Sequence, residues 1–308
     1  MRNNCRLNSL DAPVGFVVID KPSGLTSQAC VSRIRSVLQT KRVGHGGTLD
    51  PAVTGVLPIA VGQATRLLPF LPGEKTYRGV IQLGTSTITD DLQGEVTSVR
   101  AWPPLTRESM NQALDSFRGR IEQCPPQFSA VHVNGERAYA RARRGEVMDL
   151  AARCVTIHSL SIENWDLQHG QVTLEVHCSA GTYIRSLARD LGKALGCGGC
   201  LHSLRRTQAL GFVETDAVPL PPHPNDLAAT HGTKPTLLPP QKALAHLPTL
   251  QLTDQEREDW SFGRPIFYRA EHDEGPTVVI SSDQIMLGIG IADGQNQLKP
   301  KVVFEARS

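Results

Sequence analysis

No stretch of the 308 residues approaches the ~18 consecutive uncharged apolar residues that a membrane-spanning helix requires; the longest clean run is Val56–Val61. The start, Met1-Arg-Asn-Asn-Cys-Arg, has no apolar segment behind it, so no secretory leader is expected and the chain reads as cytoplasmic. Internal repeats and low-complexity tracts are absent. So are the glycine-rich dinucleotide fingerprint, the phosphate-loop lysine motif, HExxH and the nucleophile elbow. Nucleotide-driven, zinc-protease and serine-hydrolase chemistry are therefore disfavoured. What remains is 40% hydrophobic and 20% charged, an ordinary globular balance. The length suits one large domain or two unequal ones.

The seven cysteines are odd in number and irregularly spaced, so they are expected to be reduced thiols. Cys197-Gly-Gly-Cys200 offers two ligands where a tetrahedral zinc site needs four, and no second pair completes it. It reads as a glycine-rich turn, and neither metal nor cofactor is expected. Net charge is only +2, but it is unevenly spread: residues 246–308 carry −4 and residues 1–245 carry +6. Basic residues cluster at 33–42, at 137–144 and at Arg205-Arg206. One cluster is usually a solvated face; three in one part of the chain favour a polyanionic partner.

The stretch 217–244 holds seven of the 21 prolines. Proline lacks the donor that regular structure needs, so this stretch reads as an extended connector. It separates a mixed region, 1–216, from a small β-rich unit, 245–308, with short strands near 277–280, 285–291 and 301–304 and a turn at Asp293-Gly294. In the first region, 15–19, 56–61, 76–83 and 171–178 read as strands. Ser27 is a plausible cap for a helix with Val31, Ile34, Val37 and Leu38 on one face. Gly181 precedes a second helix, 183–195, and 44–47 reads as a glycine-rich loop. The mixture predicts an α+β fold.

The densest motif is Arg42-Val-Gly-His-Gly-Gly-Thr-Leu-Asp-Pro51, followed by Thr54-Gly-Val-Leu-Pro58. Its glycines let the backbone pass close to a neighbour, and Pro51 biases Asp50 toward extended geometry. An Asp-Pro pair is ordinarily a turn cap, and a loop histidine such as His45 is ordinarily just hydrogen-bonded. Spacing alone leaves both readings open.

Gly44–Pro51 resembles the active-site motif of the TruB family of tRNA pseudouridine-55 synthases. Further segments resemble that family in order: Ile19–Gly24, Lys75–Arg78, Cys124–Ala130 with Gly135–Tyr139, Gly181–Arg185, and Leu204–Arg206. The resemblance spans about 13–215 strongly and 240–308 more weakly, through Leu298–Phe304. It implies a pseudouridine synthase fold, with a central mixed, mostly antiparallel sheet flanked by helices and loops. A small PUA-like C-terminal domain and an RNA-gripping insertion at about 124–152 are also implied. The implied reaction is guide-independent isomerisation of uridine 55 in the T-loop of tRNA, by an enzyme working as a monomer without an obligatory protein partner or cofactor. Asp50 becomes the catalytic carboxylate and Arg185 its partner, able to form a two-pronged pair. A buried lone carboxylate would resist ionisation, hence the need for a cation. Tyr77 packs on the flipped base and is a candidate for proton handling. His45 fills the space that flipped bases vacate. Tyr183 and Leu204 pack around carboxylate and uracil, and Lys21 supports the first motif on the substrate side. Arg141, Arg143 and Arg144 bind phosphate. Two positions depart from the family pattern: Ile88 replaces an acidic residue, with Asp90-Asp91 nearby, and Cys197–Cys200 occupies a segment that usually reads otherwise. Competing implications are a guide-RNA-dependent dyskerin-type enzyme and a non-catalytic tRNA-folding protein.

Overall fold

The structure, a computed structural model, describes residues 13–133, 135–223, 234–268, 275–293 and 296–304. The N-terminal hexapeptide with Cys5, Gly294 of the expected turn, and 224–233 within the proline-rich stretch lie outside these residues.

The chain opens with β1 (Gly15–Lys21), α1 (Ser27–Leu38), β2 (Val43–His45) and β3 (Thr54–Val61). A 3-10 segment, Gly62–Phe70, leads into β4 (Lys75–Leu83) and the hairpin of β5 (Thr85–Thr87) and β6 (Val96–Val99). After α2 (Arg107–Asp115) and β7 (Gly119–Gln123) comes a small satellite of β8 (His132–Val133), β9 (Glu136–Arg137) and α3 (Ala138–Ala142), closed over Met148 and Leu150. Then follow β10 (Arg153–Asp166), β11 (Gln171–Cys178), α4 (Ile184–Ala194), β12 (Gly199–Ala209), β13 (Phe212–Val213), β14 (Val218–Pro219) and α5 (Pro240–Ala243). The C-terminal elements are β15 (Thr249–Gln251), α6 (Asp254–Ser261), β16 (Ile266–Phe267), β17 (Pro276–Ile280), β18 (Met286–Ala292) and β19 (Gln297–Val303).

Ten strands form the main sheet, in the order β14-β1-β3-β12-β4-β11-β10-β7, with β2 added to β3 and β13 to β12. Only β1–β14 and β3–β12 run parallel; the other pairs are antiparallel. The expected mixed, mostly antiparallel sheet is what the structure has. A second sheet, β15-β17-β18-β19-β16, builds the β-rich C-terminal part.

The runs 15–19 and 56–61 are apolar throughout because β1 and β3 are buried on both faces. Val17, Ile19, Leu57 and Ile59 join the core under α1 and α4. Phe16, Val18, Val56 and Ala60 point the other way, onto Ala243, Leu244, Ile280, Met286, Ile289 and Val302. The second sheet thus shares a core with the first. The proline-rich stretch is tied at both described ends: Val218 and Pro219 pair with β1, and Leu238 exchanges backbone hydrogen bonds with Phe16. Pro219 lies on the edge strand β14, where its missing donor costs nothing, and Pro240 opens the short helix α5, so the expected extended connector is not extended throughout.

The cap of α1 is a correction. Thr26, not Ser27, accepts the Ala29 N–H, and Ser27 is the first helical residue. The two hydroxyls are adjacent and chemically equivalent as caps. Ser27 is committed elsewhere, as the site shows.

Where β3 meets β12, Gly55 lies opposite Arg206. Gly55 has φ +101°, and an added Cβ would stand 2.2 Å from the Arg206 carbonyl oxygen. Backbone cannot yield there as a side chain could. Gly55→Ala should therefore cost about 2–3 kcal/mol of folding stability, read as a lower urea midpoint at unchanged m-value.

Candidate active site

The segment Gly46–Val53, between β2 and β3, is tied down at nearly every residue. Gly46 N–H donates to Pro58 O at 3.0 Å. Gly47 has φ +111°, a conformation glycine tolerates, and its carbonyl accepts from Arg206 Nη2 at 3.3 Å. Leu49 is buried, and its N–H donates to Ser27 Oγ at 2.8 Å. Ser27 Oγ donates back to Leu49 O at 3.1 Å. Pro51 O accepts from the Gly24 N–H at 2.8 Å and from Lys21 Nζ at 3.0 Å. Val53 N–H closes the turn onto Asp50 O at 3.0 Å. The Lys21–Gly24 turn and this loop are therefore one hydrogen-bonded unit.

Asp50 is the one ionisable side chain of that loop. Its side chain is 49% exposed, and Oδ2 lies 2.9 Å from Arg185 Nη2. Arg185, on the first turn of α4, is the buried member, at 9%. It also donates to Thr89 O and Phe128 O, both at 3.0 Å, with Asp91 Oδ2 at 3.7 Å from Nε. Two expectations are corrected here. The carboxylate is not buried, and the pair rests on Nη2 alone rather than on two nitrogens: Nη2 also serves Phe128 O of the insertion, while Nη1 is taken by Thr89 O of the hairpin loop. The aspartate pair near Ile88 does face arginines: Asp91 stands by Arg185, and Asp90 pairs with Arg189 at 2.9 Å. Burial raises the Asp90 carboxyl above its usual range, against the pull of Arg189.

Tyr77, on central strand β4, is buried, lies opposite Arg206 across the β4–β12 ladder and is near enough to Asp50 to feel its charge. Burial pushes its phenol above the ordinary tyrosine value, and Arg206 works against that rise. His45 ends β2 with a buried Nδ1 that has no hydrogen-bond partner. Burial, then Arg206, depresses its pKa, so its ring is neutral at pH 7. Tyr183 caps α4, its N–H donating to Gln123 Oε1 at 2.7 Å, and Leu204 is half-buried on β12 against the main core.

Lys21 leaves the substrate-binding set and takes the supporting place in the first motif. It is fully buried, and its ammonium donates to the carbonyls of Pro22 and Pro51. Burial depresses its pKa, although Cys30 and Asp50 oppose the shift. It positions the loop and cannot reach a ligand. The insertion arginines separate as well. Arg141 pairs with Glu146, and Arg144 with Glu136 and Glu146. Exposed Arg143 lies over the Tyr139 ring, 5.5 Å from its centroid, with no carboxylate partner among the described residues. Cys197 and Cys200 are buried where α4 turns into β12. The backbones pack so closely there that a Cβ on Gly192 would meet Gly199 N at 2.1 Å. Among the described residues no cluster of three or more His, Cys, Asp or Glu could hold a metal, and no helix is long and apolar enough to cross a membrane.

Residues 35–184 match the TruB family pseudouridylate synthase N-terminal domain. Residues 185–227 match the tRNA pseudouridylate synthase B C-terminal domain, and 248–304 match the pseudouridine synthase II TruB C-terminal unit. A relative from Synechococcus sp. (strain CC9311), named tRNA pseudouridine synthase B, is 74% identical over 97% of this chain and all of its own length. The chain belongs to the TruB family of pseudouridylate synthases. A relative of the same name from Prochlorococcus marinus (strain MIT 9313) is 59% identical, again over 97% of this chain and 100% of its own. Among solved structures, a chain of a Cbf5-Nop10-Gar1 complex superposes with a TM-score of 0.71 at 25% identity, covering 95% of this chain and 85% of its own. The fold is that of a pseudouridine synthase.

Within this TruB chain, two residues escaped sequence reasoning. Arg206 lay inside the recognised Leu204–Arg206 segment but went unassigned, since only the strand register places it behind Tyr77. Ser27 was read as a cap. Its double hydrogen bond to Leu49 predicts that Ser27→Ala leaves a buried N–H and C=O unsatisfied, a loss of about 2–4 kcal/mol. Looser aim of Asp50 should also lower kcat at nearly unchanged KM, as single-turnover and steady-state assays would show.

Proposed function

We propose that this protein converts uridine 55 in the T-loop of tRNA to pseudouridine, guide-independently, as a cytoplasmic monomer. The observation that carries the reading is the half-exposed Asp50 carboxylate, 2.9 Å from a buried arginine, at the end of an otherwise immobilised loop. Pseudouridylation detaches uracil from C1′ and rejoins it through C5. Atoms and electrons balance within the substrate, so no oxidant or phosphate donor is consumed. An ionised carboxylate serves each route for breaking the glycosidic bond: attack on the sugar, addition to the base, or removal of a sugar proton. Arg185 keeps that carboxylate aimed, because its own position is set by Thr89 and Phe128.

The base must leave its stack to reach Asp50. Tyr77 supplies a ring against which it packs, and a hydroxyl for proton handling. His45, Tyr183 and Leu204 line the approach. In this reading residues 1–216 are the catalytic domain, 217–244 the connector and 245–308 the C-terminal domain. The insertion at about 124–152 holds the T-arm. Guide independence rests on Gly46-Gly47 in the active-site motif and on the tRNA-enzyme names of the 74% and 59% identical relatives.

Incubation with an unmodified tRNA transcript, followed by mapping with an adduct that stops reverse transcription, should give one stop at the T-loop uridine. Asp50→Ala should cut the rate ~10³-fold or more with the tRNA Kd unchanged; a Kd that collapses with the rate would make Asp50 structural. Arg143→Ala should reduce the log–log salt slope of tRNA binding by ~1. Arg144→Ala should change it less, since Glu136 and Glu146 already neutralise that charge.

A further inference from the structure

Arg206 is the anomaly of the site. It is fully buried, yet among the described residues no carboxylate pairs with it. Nε donates to Val56 O at 2.8 Å and Nη2 to Gly47 O at 3.3 Å, but buried Nη1 has no acceptor. The neighbouring bases make matters worse: Lys21, His45 and Lys75 all feel its charge as repulsion. A buried cation left without a counter-charge is costly. Holding the Gly47 carbonyl does not explain it, because a neutral donor would do that work. RNA phosphates are no explanation either, since the guanidinium is closed off from solvent.

The polar side chain paired with it across the sheet is Tyr77. The ladder sets it directly across from Arg206. Its hydroxyl comes near enough to interact with the guanidinium, though not in a geometry that satisfies Nη1. The other ionisable groups bearing on Tyr77 are Cys178 on β11 and Asp50 on the loop. Both would oppose negative charge on the phenol oxygen, which leaves Arg206 as the one group favouring it.

We propose that Arg206 is a positioning residue for Tyr77, its guanidinium fixing the phenol and stabilising negative charge on the phenolic oxygen during the reaction. The catalytic part of this inference rests on the pseudouridine synthase reading above. The electrostatic part stands by itself, and so does its test. The chain has four tyrosines, and replacing them with 3-fluorotyrosine gives few fluorine resonances, that of Tyr77 being assigned with Tyr77→Phe. Fluorination also acidifies the phenol, bringing its ionisation into the range where the protein is folded. Without RNA, Arg206→Gln should raise the Tyr77 midpoint by ~1 pH unit or more, since removing a cation disfavours the phenolate. Arg206→Lys should keep most of the wild-type midpoint. An unmoved midpoint in a folded Arg206→Gln protein overturns the proposal, as does a lysine variant that shifts as far as glutamine. Should Arg206→Gln not fold, the guanidinium nitrogen resonances of Arg206 in the otherwise unaltered protein should follow the Tyr77 titration and lose that response in Tyr77→Phe; no response overturns it. With tRNA, Arg206→Lys should lower kcat less than Arg206→Gln, the latter by about tenfold at little-changed KM. A defect confined to KM would remove the role in catalysis. If the unaltered protein makes no pseudouridine, the functional reading fails while the fluorine result stays readable.

Discussion

Two buried cations, Lys21 and Arg206, hold the active-site loop from beneath, and the site depends on what neutralises them. Neither has a carboxylate partner among the described residues; both donate instead to backbone carbonyls, Pro51 for the lysine and Gly47 for the arginine. A buried ammonium or guanidinium with so few acceptors binds those it has firmly. The loop cannot drift without stranding a charge. With Ser27 on Leu49 and Pro58 on Gly46, the result is a firmly held frame carrying one carboxylate. Rigidity matters because a catalytic group displaced by an ångström loses much of its effect.

The carboxylate and its surroundings divide the electrostatic work. Asp50 stays half-exposed, so it keeps much of its hydration, while Arg185 is buried and fixed by two carbonyls in addition to the aspartate. One of those carbonyls, Phe128 O, belongs to the insertion, and the other, Thr89 O, to the hairpin loop. A single guanidinium therefore ties the Asp50 carboxylate to both segments. Arg189, one turn further along α4, repeats the pattern with Asp90 and the Cys124 carbonyl.

Much of this was legible in the sequence, for reasons that differ by residue. Asp50, Tyr77 and Arg185 sit in short contiguous motifs, and the structure pairs Asp50 with Arg185 and sets Tyr77 within reach of the Asp50 charge. The strands at 15–19 and 56–61 announced themselves by unbroken apolar runs, which two-sided burial explains. What was not legible depended on register or on a choice between equivalent groups. Thr26 and Ser27 are adjacent hydroxyls, and only the path of the loop decides which one caps. Arg206 gains its neighbours from the pairing of β12 with β3 and β4, strands about 130 to 150 residues away in sequence. The Arg141–Arg144 run looked uniformly cationic until folding placed Glu136 and Glu146 against two of its members.

The face of β1 and β3 that carries Phe16, Val18 and Val56 has a consequence for biosynthesis. Part of its cover comes from Ile280, Met286, Ile289 and Val302, more than 220 residues further along the chain, beside nearer residues such as Leu67, Leu71 and Phe212. A strand made early is thus buried in part by strands made much later, and until those emerge that part of the apolar face stands without its lid. Contacts of such sequence separation form slowly, and surfaces left bare in the meantime invite association with other nascent chains. The order of synthesis therefore leaves this part of the face open to such association until the second sheet has formed.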